Sequence, residues 1–410
     1  MALRAGTFWF ILITVGLDVI ALGIIIPVLP SLIKNLIGGN EREAVHFAGM
    51  LGTLAAMAQF FAAPILGGLS DRYGRRPIIL ISSLGLCIDY LVMAATPVIG
   101  MLLVGRFISG ICSASIPTAL AYIADVTESK DRAARFGMVG GAFGLGFIVG
   151  PALGGFLGDI DLRLPFIVAS CLCFANFLYG WFILPESLPR ERRRPFSFRQ
   201  ANPVGMLRLI FQQAAIFWLA ALIFINHLAH QVFPHTFIFY TQHVFAWSGK
   251  QNGIAMAVVG MVSAIVSAIL VKRAIDLFGQ QKALIAGLSL GCIGFAAYGL
   301  ARSPDIFYLA IVINGLWAIS GPIIQGLASS RVDAEHQGQL QATFQSLRSV
   351  ADIIGPGLFT GVFAWGISQT PKEPGAAFVL SALILMIGLI LAHIDNYKSS
   401  KNGTSAPDHS

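Results

Sequence analysis

Apolar runs separated by short polar segments recur along the whole chain. Each run has about 20 residues or more, which as a helix crosses a hydrocarbon core of about 30 Å. The runs fall at about 8–33, 46–68, 78–96, 99–124, 138–158, 164–184, 213–238, 252–271, 283–301, 306–329, 340–366 and 376–394. The pattern predicts an all-α membrane protein with about twelve transmembrane helices.

A polar segment rich in arginine and proline separates the sixth run from the seventh. Such a segment cannot enter lipid and suits a linker. The predicted organisation is a six-helix half at 1–184, a cytoplasmic linker at 185–212, a second six-helix half at 213–395 and a cytoplasmic tail at 396–410.

Features that recur at one offset indicate that the two halves are related by internal repetition. The offset is 205 residues, the interval from Asp71 to Asp276. The pairs at this offset are Asp71 and Asp276, Gly74 and Gly279, Gly110 and Gly315, Gly150 and Gly355, and Pro151 and Pro356. We therefore expect two pseudo-symmetric halves, with a substrate site between them near the midplane of the bilayer.

The composition excludes an ordinary soluble domain. Hydrophobic residues make up 56% of the 410 residues and charged residues only 11%, whereas soluble domains carry about 25% charged residues. Nineteen of the 27 Lys and Arg residues fall in segments that are cytoplasmic when both termini are placed inside, as the positive-inside rule requires. The net charge of +7 is thus explained by membrane topology and not by a nucleic-acid partner. The composition and the positions of the basic residues predict a multi-pass protein of the cytoplasmic membrane, surrounded by lipid.

A charged turn follows the second run and reads GGLSDRYGRRP from Gly67 to Pro77. This turn resembles the signature loop of the major facilitator superfamily. The matching residues are Gly67, Asp71, Arg72, Gly74, Arg75 and Arg76, with Asp125 at the inner end of the fourth run as an acidic partner. The resemblance implies that the glycines allow a tight turn and that Asp71, Arg75 and Asp125 form a cytoplasmic gate. The alternative is that these charges only enforce topology.

Small residues are spaced along the fifth run at Gly146, Gly150, Pro151, Gly154 and Gly155. Such spacing lets helices approach closely, and Pro151 is expected to kink the helix. The run resembles the motif found in exchangers and exporters of this superfamily. The alternative is a generic close-packed glycine face.

Ionisable side chains inside the runs are few, and the candidates are Asp18, Asp89, Arg106, Arg348 and Asp352. Each costs about 3 kcal/mol at the bilayer centre and therefore needs a partner or a wet cavity. Asp18 is the leading candidate for a proton or cationic-substrate site, and a structural ion pair with Arg106 is the alternative. Arg348 and Asp352, one turn apart, are either a second charged element or a pair that neutralises itself.

Two histidines of the seventh run, His227 and His230, share a helix face. A polar substrate wall and ordinary packing are both open interpretations. No carboxylate or cysteine accompanies them in the run, so no metal site is predicted.

Residue patterns in both halves are similar to the tetracycline/proton antiporter group of the superfamily. They are Leu17-Asp18 with Pro27-Val28-Leu29-Pro30, Gln59 before Ala63-Pro64, Asp89-Tyr90, Gly105-Arg106, Gln231-Val232, Gln337-Gly338 and Ile354-Gly355-Pro356. The resemblance implies that Asp18, Gln59, Asp89, Arg106 and Gln231 contribute to substrate binding or proton coupling. It also implies export of a drug, often as a metal chelate, in exchange for entering protons.

The chain departs from that group in the eighth and ninth runs. There the group carries a His and an Asp tied to proton coupling, but here both runs lack acidic, basic and histidine residues. Tetracycline itself therefore stays open as a substrate.

The predicted function is a proton-coupled antiporter that exports small amphipathic drugs as a monomer. A facilitator or proton-coupled transporter of a metabolite on the same fold is the alternative. We expect no cofactor, with the proton gradient as the energy source and a divalent cation only as part of a chelated substrate. The sequence contains no nucleotide loop or nucleophile constellation, so an enzyme is not predicted.

Overall fold

The computed structural model describes residues 2–113, 115–128, 131–193, 214–332, 337–369 and 372–401. Regular structure within these ranges is helical. Most of the predicted linker and of the predicted tail lies outside the described residues, so those two assignments stay predictions.

Eight α-helices of the described chain come before the linker. They are α1 (Ala2–Ile25), α2 (Leu29–Leu36), α3 (Glu41–Tyr73), α4 (Arg75–Ala95), α5 (Ile99–Cys112), α6 (Ser115–Val126), α7 (Arg132–Ile160) and α8 (Leu164–Ile183). A 3₁₀ turn at Arg190–Arg192 follows.

Eight more α-helices are described after the linker. They are α9 (Ala214–His230), α10 (Val232–Phe245), α11 (Gly249–Ile265), α12 (Val271–Leu300), α13 (Pro304–Gly315), α14 (Ser320–Ser329), α15 (Gln337–Ser368) and α16 (Ala376–Lys401). A π-helical segment, Val266–Leu270, joins α11 to α12, and a 3₁₀ segment, Leu316–Ile319, joins α13 to α14.

The described helices form twelve membrane spans. Eleven helical stretches of the described residues are long and apolar enough to cross a membrane. One of them, Gly249–Leu300, has 52 residues, far more than the roughly 20 that a single span needs. Gly279 leaves helical geometry inside this stretch, which divides it into two spans. The predicted fold class is confirmed.

Proline explains why several spans consist of two helices. A proline ring clashes with the carbonyl four residues earlier, so a proline in the interior of a helix kinks or breaks it, whereas a proline in the first turn fits without a clash. Pro234 is the third residue of α10, and α9 ends at His230. Pro322 is likewise the third residue of α14 and follows the 3₁₀ segment. Pro117, in the same place in α6, lies 205 residues before Pro322.

The sequence repeat also appears in the backbone of two glycines. Gly74 ends α3 with φ 110° and ψ 161°, and Gly279 has φ 75° and ψ 161°. This region of φ and ψ is open essentially to glycine alone. The 205-residue offset therefore marks the same turn in each half.

The helices pack as two compact units. The first comprises Met1–Pro203 with Trp247–Gly260, and the second comprises Val204–Ala246 with Met261–Ser410. The first 14 residues after Ala246 therefore pack with the N-terminal helices, although they follow the linker in sequence. The domain bounds predicted above remain a prediction.

The two units have different interiors. In the first, α1 packs along α7 and α8, and α4 packs along α8. In the second, buried aromatic rings from four helices fill the core, with Phe237, Tyr298 and Phe307 at its centre. Buried positions in both units are shielded from water, so a charged group there requires a polar partner.

Candidate functional site

Asp18 lies in the middle of α1 and faces α8. Its side chain is 8% exposed, and Asn176 Nδ2 donates hydrogen bonds to Asp18 Oδ1 at 2.8 Å and to the Thr14 carbonyl at 3.1 Å. Asn176 Oδ1 is buried and has no hydrogen-bond partner among the described residues. Asp18 is therefore a buried acid that a neutral amide, and no described cation, holds in place.

Arg106 pairs with Asp89 and not with Asp18, so the alternative of an Asp18–Arg106 ion pair is wrong. Arg106 Nη2 lies 2.6 Å from Asp89 Oδ2 and 2.8 Å from Met93 Sδ. Asp89 is fully buried, and a Cβ at Gly105 would come within 2.6 Å of Asp89 Oδ1. The glycine lets α4 and α5 approach closely enough for a short ion pair inside the first unit.

Gln59 lies half-buried on α3 and forms no hydrogen bond with a described residue. The structure thus does not connect it to Asp18, Asp89 or Arg106. Its role in binding stays a prediction.

Arg75 is the centre of the charge network at the predicted inner end of the first unit. Its guanidinium contacts Asp71 Oδ1 at 2.5 Å, Asp125 Oδ2 at 3.2 Å and Ser70 Oγ at 3.0 Å. Ser187 Oγ donates to the same Asp125 oxygen at 3.2 Å. One arginine thereby joins the end of α3, the start of α4 and the end of α6.

Glu186, which the sequence reasoning did not single out, closes this network from the segment after α8. Its Oε1 accepts from the backbone N–H groups of Arg75 at 2.8 Å and Leu188 at 3.0 Å, and its Oε2 accepts from Arg76 N–H at 3.3 Å. A carboxylate on the first N–H groups of a helix satisfies donors that have no partner within the helix. A Cβ at Gly74 would collide with this carboxylate.

The other residues of the charged turn contribute less to the network. Arg76 donates to the Trp181 carbonyl, and the Arg72 guanidinium lies 5.1 Å from the centre of the Tyr73 ring. Gly67 lies inside α3, and a Cβ there would meet nothing within 4 Å. Of the motif glycines, Gly74 alone makes the expected tight turn.

The glycine run of α7 forms a ridge against α1. Positions for a Cβ at Gly146, Gly150 and Gly154 lie within 3 Å of Val19, Gly23 and Ile24 respectively. Small residues four apart allow two backbones to touch, which is how membrane helices pack without a hydrophobic driving force. The expectation of close helix contact at these glycines is confirmed for α1.

A second face of α7 contacts α11. A Cβ at Gly155 would collide with Gly249, and one at Gly253 would collide with the Pro151 carbonyl. Asp159, near the end of α7, accepts from the N–H groups of Gly249 at 2.7 Å and Lys250 at 3.0 Å. The carboxylate thus caps the first turn of α11, as a negative charge at a helix N-terminus should.

In the second unit, Asp352 contacts His227 and Gln231. His227 Nε2 lies 2.8 Å from Asp352 Oδ1, and Gln231 Nε2 lies 3.2 Å from His227 Nε2 and also contacts that carboxylate oxygen. No ion pair joins Arg348 to Asp352 among the described residues. The carboxylate therefore hydrogen-bonds toward α9 and not to Arg348, although the two charges still interact electrostatically.

His230 packs in the same region without bonding to Asp352. Its ring centre lies 6.3 Å from that of His227 in a stacked arrangement and 5.9 Å from that of Trp317 in a tilted one. Trp317 Nε1 donates to Asn226 Oδ1 at 2.8 Å. No group of three or more His, Cys, Asp or Glu side chains in the described part of the chain is arranged to hold a metal ion.

Three contact residues escaped the sequence reasoning for one reason: each acts on a residue far away in sequence. Asn176 is a carboxamide within an apolar run, and Glu186 is the first acidic residue after the sixth run. Asp159 similarly stands at the end of the fifth run. A polar residue in or next to an apolar run is the signal that could have pointed to each of them.

The chain matches the family model described as Major Facilitator Superfamily over residues 11–356 and 261–408. It is 37% identical over 379 residues to the class C tetracycline resistance protein of Escherichia coli, covering 92% of this chain and 94% of that protein. It is 34% identical over 394 residues to the class H tetracycline resistance protein of Pasteurella multocida, covering 95% and 96%.

Solved structures show the same fold at low sequence identity. The human organic anion transporter MFSD10 (TETRAN) matches with a TM-score of 0.71 and 24% identity, covering 95% of this chain and 99% of that one. The nucleoside transporter NupG matches with a TM-score of 0.76 and 13% identity, covering 95% and 98%. Together with the family model and the tetracycline resistance relatives, this identifies the chain as a multi-pass membrane protein of the Major Facilitator Superfamily, a family of transporters rather than enzymes.

Proposed function

We propose that this transporter is a proton-coupled antiporter that exports small amphipathic drugs, tetracycline-like molecules among them, by alternating access. The observation that carries the proposal is Asp18, a buried carboxyl group in the middle of a span with an amide and no described cation as its partner. An acid in this position can gain and lose a proton without breaking an ion pair.

Asp89 provides the contrast within the same unit. Its charge is matched by Arg106 at 2.6 Å, and removing one partner of a buried ion pair leaves an uncompensated charge. This pair is therefore suited to holding α4 and α5 together, whereas Asp18 is suited to changing its charge. The Asn176 Oδ1 atom has no hydrogen-bond partner among the described residues, so it can accept a hydrogen bond from a donor group beside Asp18.

The two motifs support the transport cycle. The network around Arg75 consists of partly exposed ion pairs, which contribute little stability individually and can be broken and remade. The glycine ridge of α7 lets α1, which carries Asp18, lie directly against the backbone of α7. A shift of α7 is therefore transmitted to α1 directly.

The tetracycline resistance relatives support the choice of drug class. In this proposal the protein lies in the cytoplasmic membrane with both termini inside and works as a monomer. It uses the proton gradient and no cofactor, and a divalent cation would be carried only as part of a chelated substrate.

The test is drug-dependent proton movement in proteoliposomes. A pH-sensitive dye inside the vesicles reports proton flux while tetracycline and unrelated amphipathic drugs are added one at a time. We expect at least one drug to evoke proton flux in the wild type and Asp18→Asn to abolish it. Asp305→Asn, which changes an exposed carboxylate at the start of α13, is the matched control and should leave the flux unchanged.

Two results would contradict the proposal. Drug-evoked flux that persists in Asp18→Asn would remove the coupling role from this residue. Absence of proton flux with every drug, in folded wild-type protein, would favour a metabolite facilitator on the same fold.

A further inference from the structure

The contact between His227 and Asp352 lies deep within two spans of the second unit. His227 stands ten residues after the start of Phe217–Phe245, and Asp352 stands twelve residues after the start of Leu340–Ser368. At 1.5 Å per residue, His227 lies about 15 Å and Asp352 about 18 Å along the helix axis from the first residue of its span. They are therefore near the depth at which a charge is most costly.

Both side chains are nevertheless partly exposed, His227 by 29% and Asp352 by 37%. A carboxylate exposed to lipid at this depth would cost about 3 kcal/mol, so the exposed part of Asp352 has to face water. Water at the pair supplies a path by which a proton can arrive and leave.

Gln231 allows the pair to exist in two protonation states. When His227 Nε2 carries a proton, it donates to Asp352 Oδ1, which is 2.8 Å away. When Nε2 is unprotonated, its lone pair would face the carboxylate. Gln231 Nε2, 3.2 Å from the imidazole nitrogen, can then donate one N–H to His227 and the other to Asp352. Neither state leaves these polar atoms without a hydrogen bond.

The charges around the pair are few. Arg348 lies one turn earlier on α15, His230 stacks on His227, and His235 on α10 lies within electrostatic range of Asp352. The described part of α14 has no charged residue, and the charged residues of α16 begin at His393, beyond its contacts with α9 at Ser381 and Gly388. A proton taken up at the pair therefore changes the net charge of a region with few other charged groups.

A glycine holds Gln231 in this arrangement. A Cβ at Gly355, three residues after Asp352, would collide with Gln231 Cβ and Cγ. Gly361 on the same helix has open space around it. Only the first of these glycines is required for Gln231 to reach the carboxylate.

We infer that His227, Gln231 and Asp352 form a proton-binding site of the second unit. In the neutral state the His227 ring carries its proton on Nδ1. Proton uptake from hydronium then forms an N–H bond at Nε2 and breaks an O–H bond of the hydronium, and release to water reverses the step. The site gives the second half a titrating group that its eighth and ninth spans lack. Its role in coupling rests on the proposed antiport, whereas proton binding itself does not.

The first experiment is a double-mutant cycle that needs no transported drug. Thermal unfolding of the purified protein in detergent is measured for wild type, His227→Gln, Asp352→Asn and the double variant at about pH 5 and about pH 8, the range in which histidine usually changes charge. We expect a coupling of several degrees in the melting temperature at the acidic pH, because protonation of His227 turns its contact with the Asp352 carboxylate into an ion pair. The coupling should be much smaller at the alkaline pH. Equal coupling at both would overturn the inference.

His230→Gln is the matched control, since this ring stacks on His227 but does not bond to Asp352. Its cycle with Asp352→Asn should show no comparable dependence on pH. Gly355→Ala and Gly361→Ala provide a second test if the first variants do not fold. The former should weaken the pH dependence of the melting temperature and the latter should not, and the same behaviour in both would count against the site.

A transport measurement separates the inference from the proposed function. Tetracycline uptake driven by an imposed pH gradient is compared with exchange of tetracycline without a gradient. We expect His227→Gln and Asp352→Asn to lose the driven uptake and keep the exchange. Driven uptake that survives both substitutions would exclude the coupling role. No driven transport of tetracycline or of any other drug of the panel in the wild type, beside a pH-dependent cycle, would leave the proton site standing and refute the antiport.

Discussion

The turn at Gly74 and the turn at Gly279 occupy equivalent positions in the sequence repeat and share a backbone geometry found essentially only in glycine. Their surroundings differ. A Cβ at Gly74 would strike the Glu186 carboxylate, whereas one at Gly279 would meet nothing within 4 Å. Arg75, just after the first turn, forms ion pairs with two carboxylates. Its counterpart is Gln280, a neutral residue.

The two halves share the glycine turn but differ in the charges around it. Both halves need the tight turn to connect consecutive spans, so both keep the glycine. The first half alone surrounds its turn with a network of described charges that ties three helices and the segment after α8 together. The backbone is thus shared for folding, and the charges are concentrated where a gate is proposed.

Alanine substitution at the two glycines should give the largest effect, and the loss of stability should differ between the two turns. Gly74→Ala should destabilise the protein by about 3 kcal/mol, because a strained φ costs about 1–3 kcal/mol and the added Cβ also displaces Glu186. Gly279→Ala should cost less, since it carries only the backbone strain. Thermal unfolding in detergent measures both, and equal losses would mean that the Glu186 contact contributes nothing.

Making the first turn resemble the second should slow transport. Arg75→Gln installs the residue of the second half and removes the ties to Asp71, Ser70 and Asp125. We expect drug export to slow about tenfold, equivalent to about 1.4 kcal/mol in a barrier. The rate is measured in proteoliposomes at saturating drug. Arg72→Leu also installs the residue found at the equivalent position of the second half, Leu277. It should have little effect, because within the charged turn Arg72 contacts the Tyr73 ring and no carboxylate. An equal slowing in both variants would remove the distinction.

Neutralising the cap on α4 should give the smallest effect. Glu186→Gln keeps one oxygen acceptor but loses the charge on the N–H groups of Arg75 and Arg76. Because Glu186 is exposed, we expect a loss of well under about 1 kcal/mol in stability and a slowing of about twofold, equivalent to a few tenths of a kcal/mol. Glu191→Gln, an exposed acid on the next turn, is the control. A Glu191 variant that is slowed equally would indicate a general effect of surface charge.

Much of the fold could be predicted because it depends on local patterns. Apolar runs of membrane length give the spans, and a sequence offset gives the relation between halves. The bend in each span at Pro234 and Pro322 follows from proline chemistry. The turn between the eighth and ninth spans also follows from the repeat, because Gly279 stands 205 residues after Gly74, and its backbone angles confirm the turn.

The site was harder to predict because its pairings cross between helices. The sequence marks Asp18, Asp89 and Arg106 as unusual, but spacing alone does not say which acid meets the arginine. The choice depends on helix rotation, which turns Asp89 toward Arg106 and Asp18 toward α8. Asn176 carries no charge, so the search for ionisable residues does not mark it, although it is the hydrogen-bond partner that keeps Asp18 in place.

Because Trp247–Gly260 packs in the first unit, a chain cut in the linker yields fragments that do not coincide with the packed units. The N-terminal fragment would present Pro151 and Gly155 of α7 without α11 against them. In the C-terminal fragment, α11 would lack the Asp159 carboxylate that caps its first turn, because Asp159 belongs to the N-terminal fragment. Neither fragment is a complete folding unit, so co-synthesis should recover a transporter that separate refolding does not.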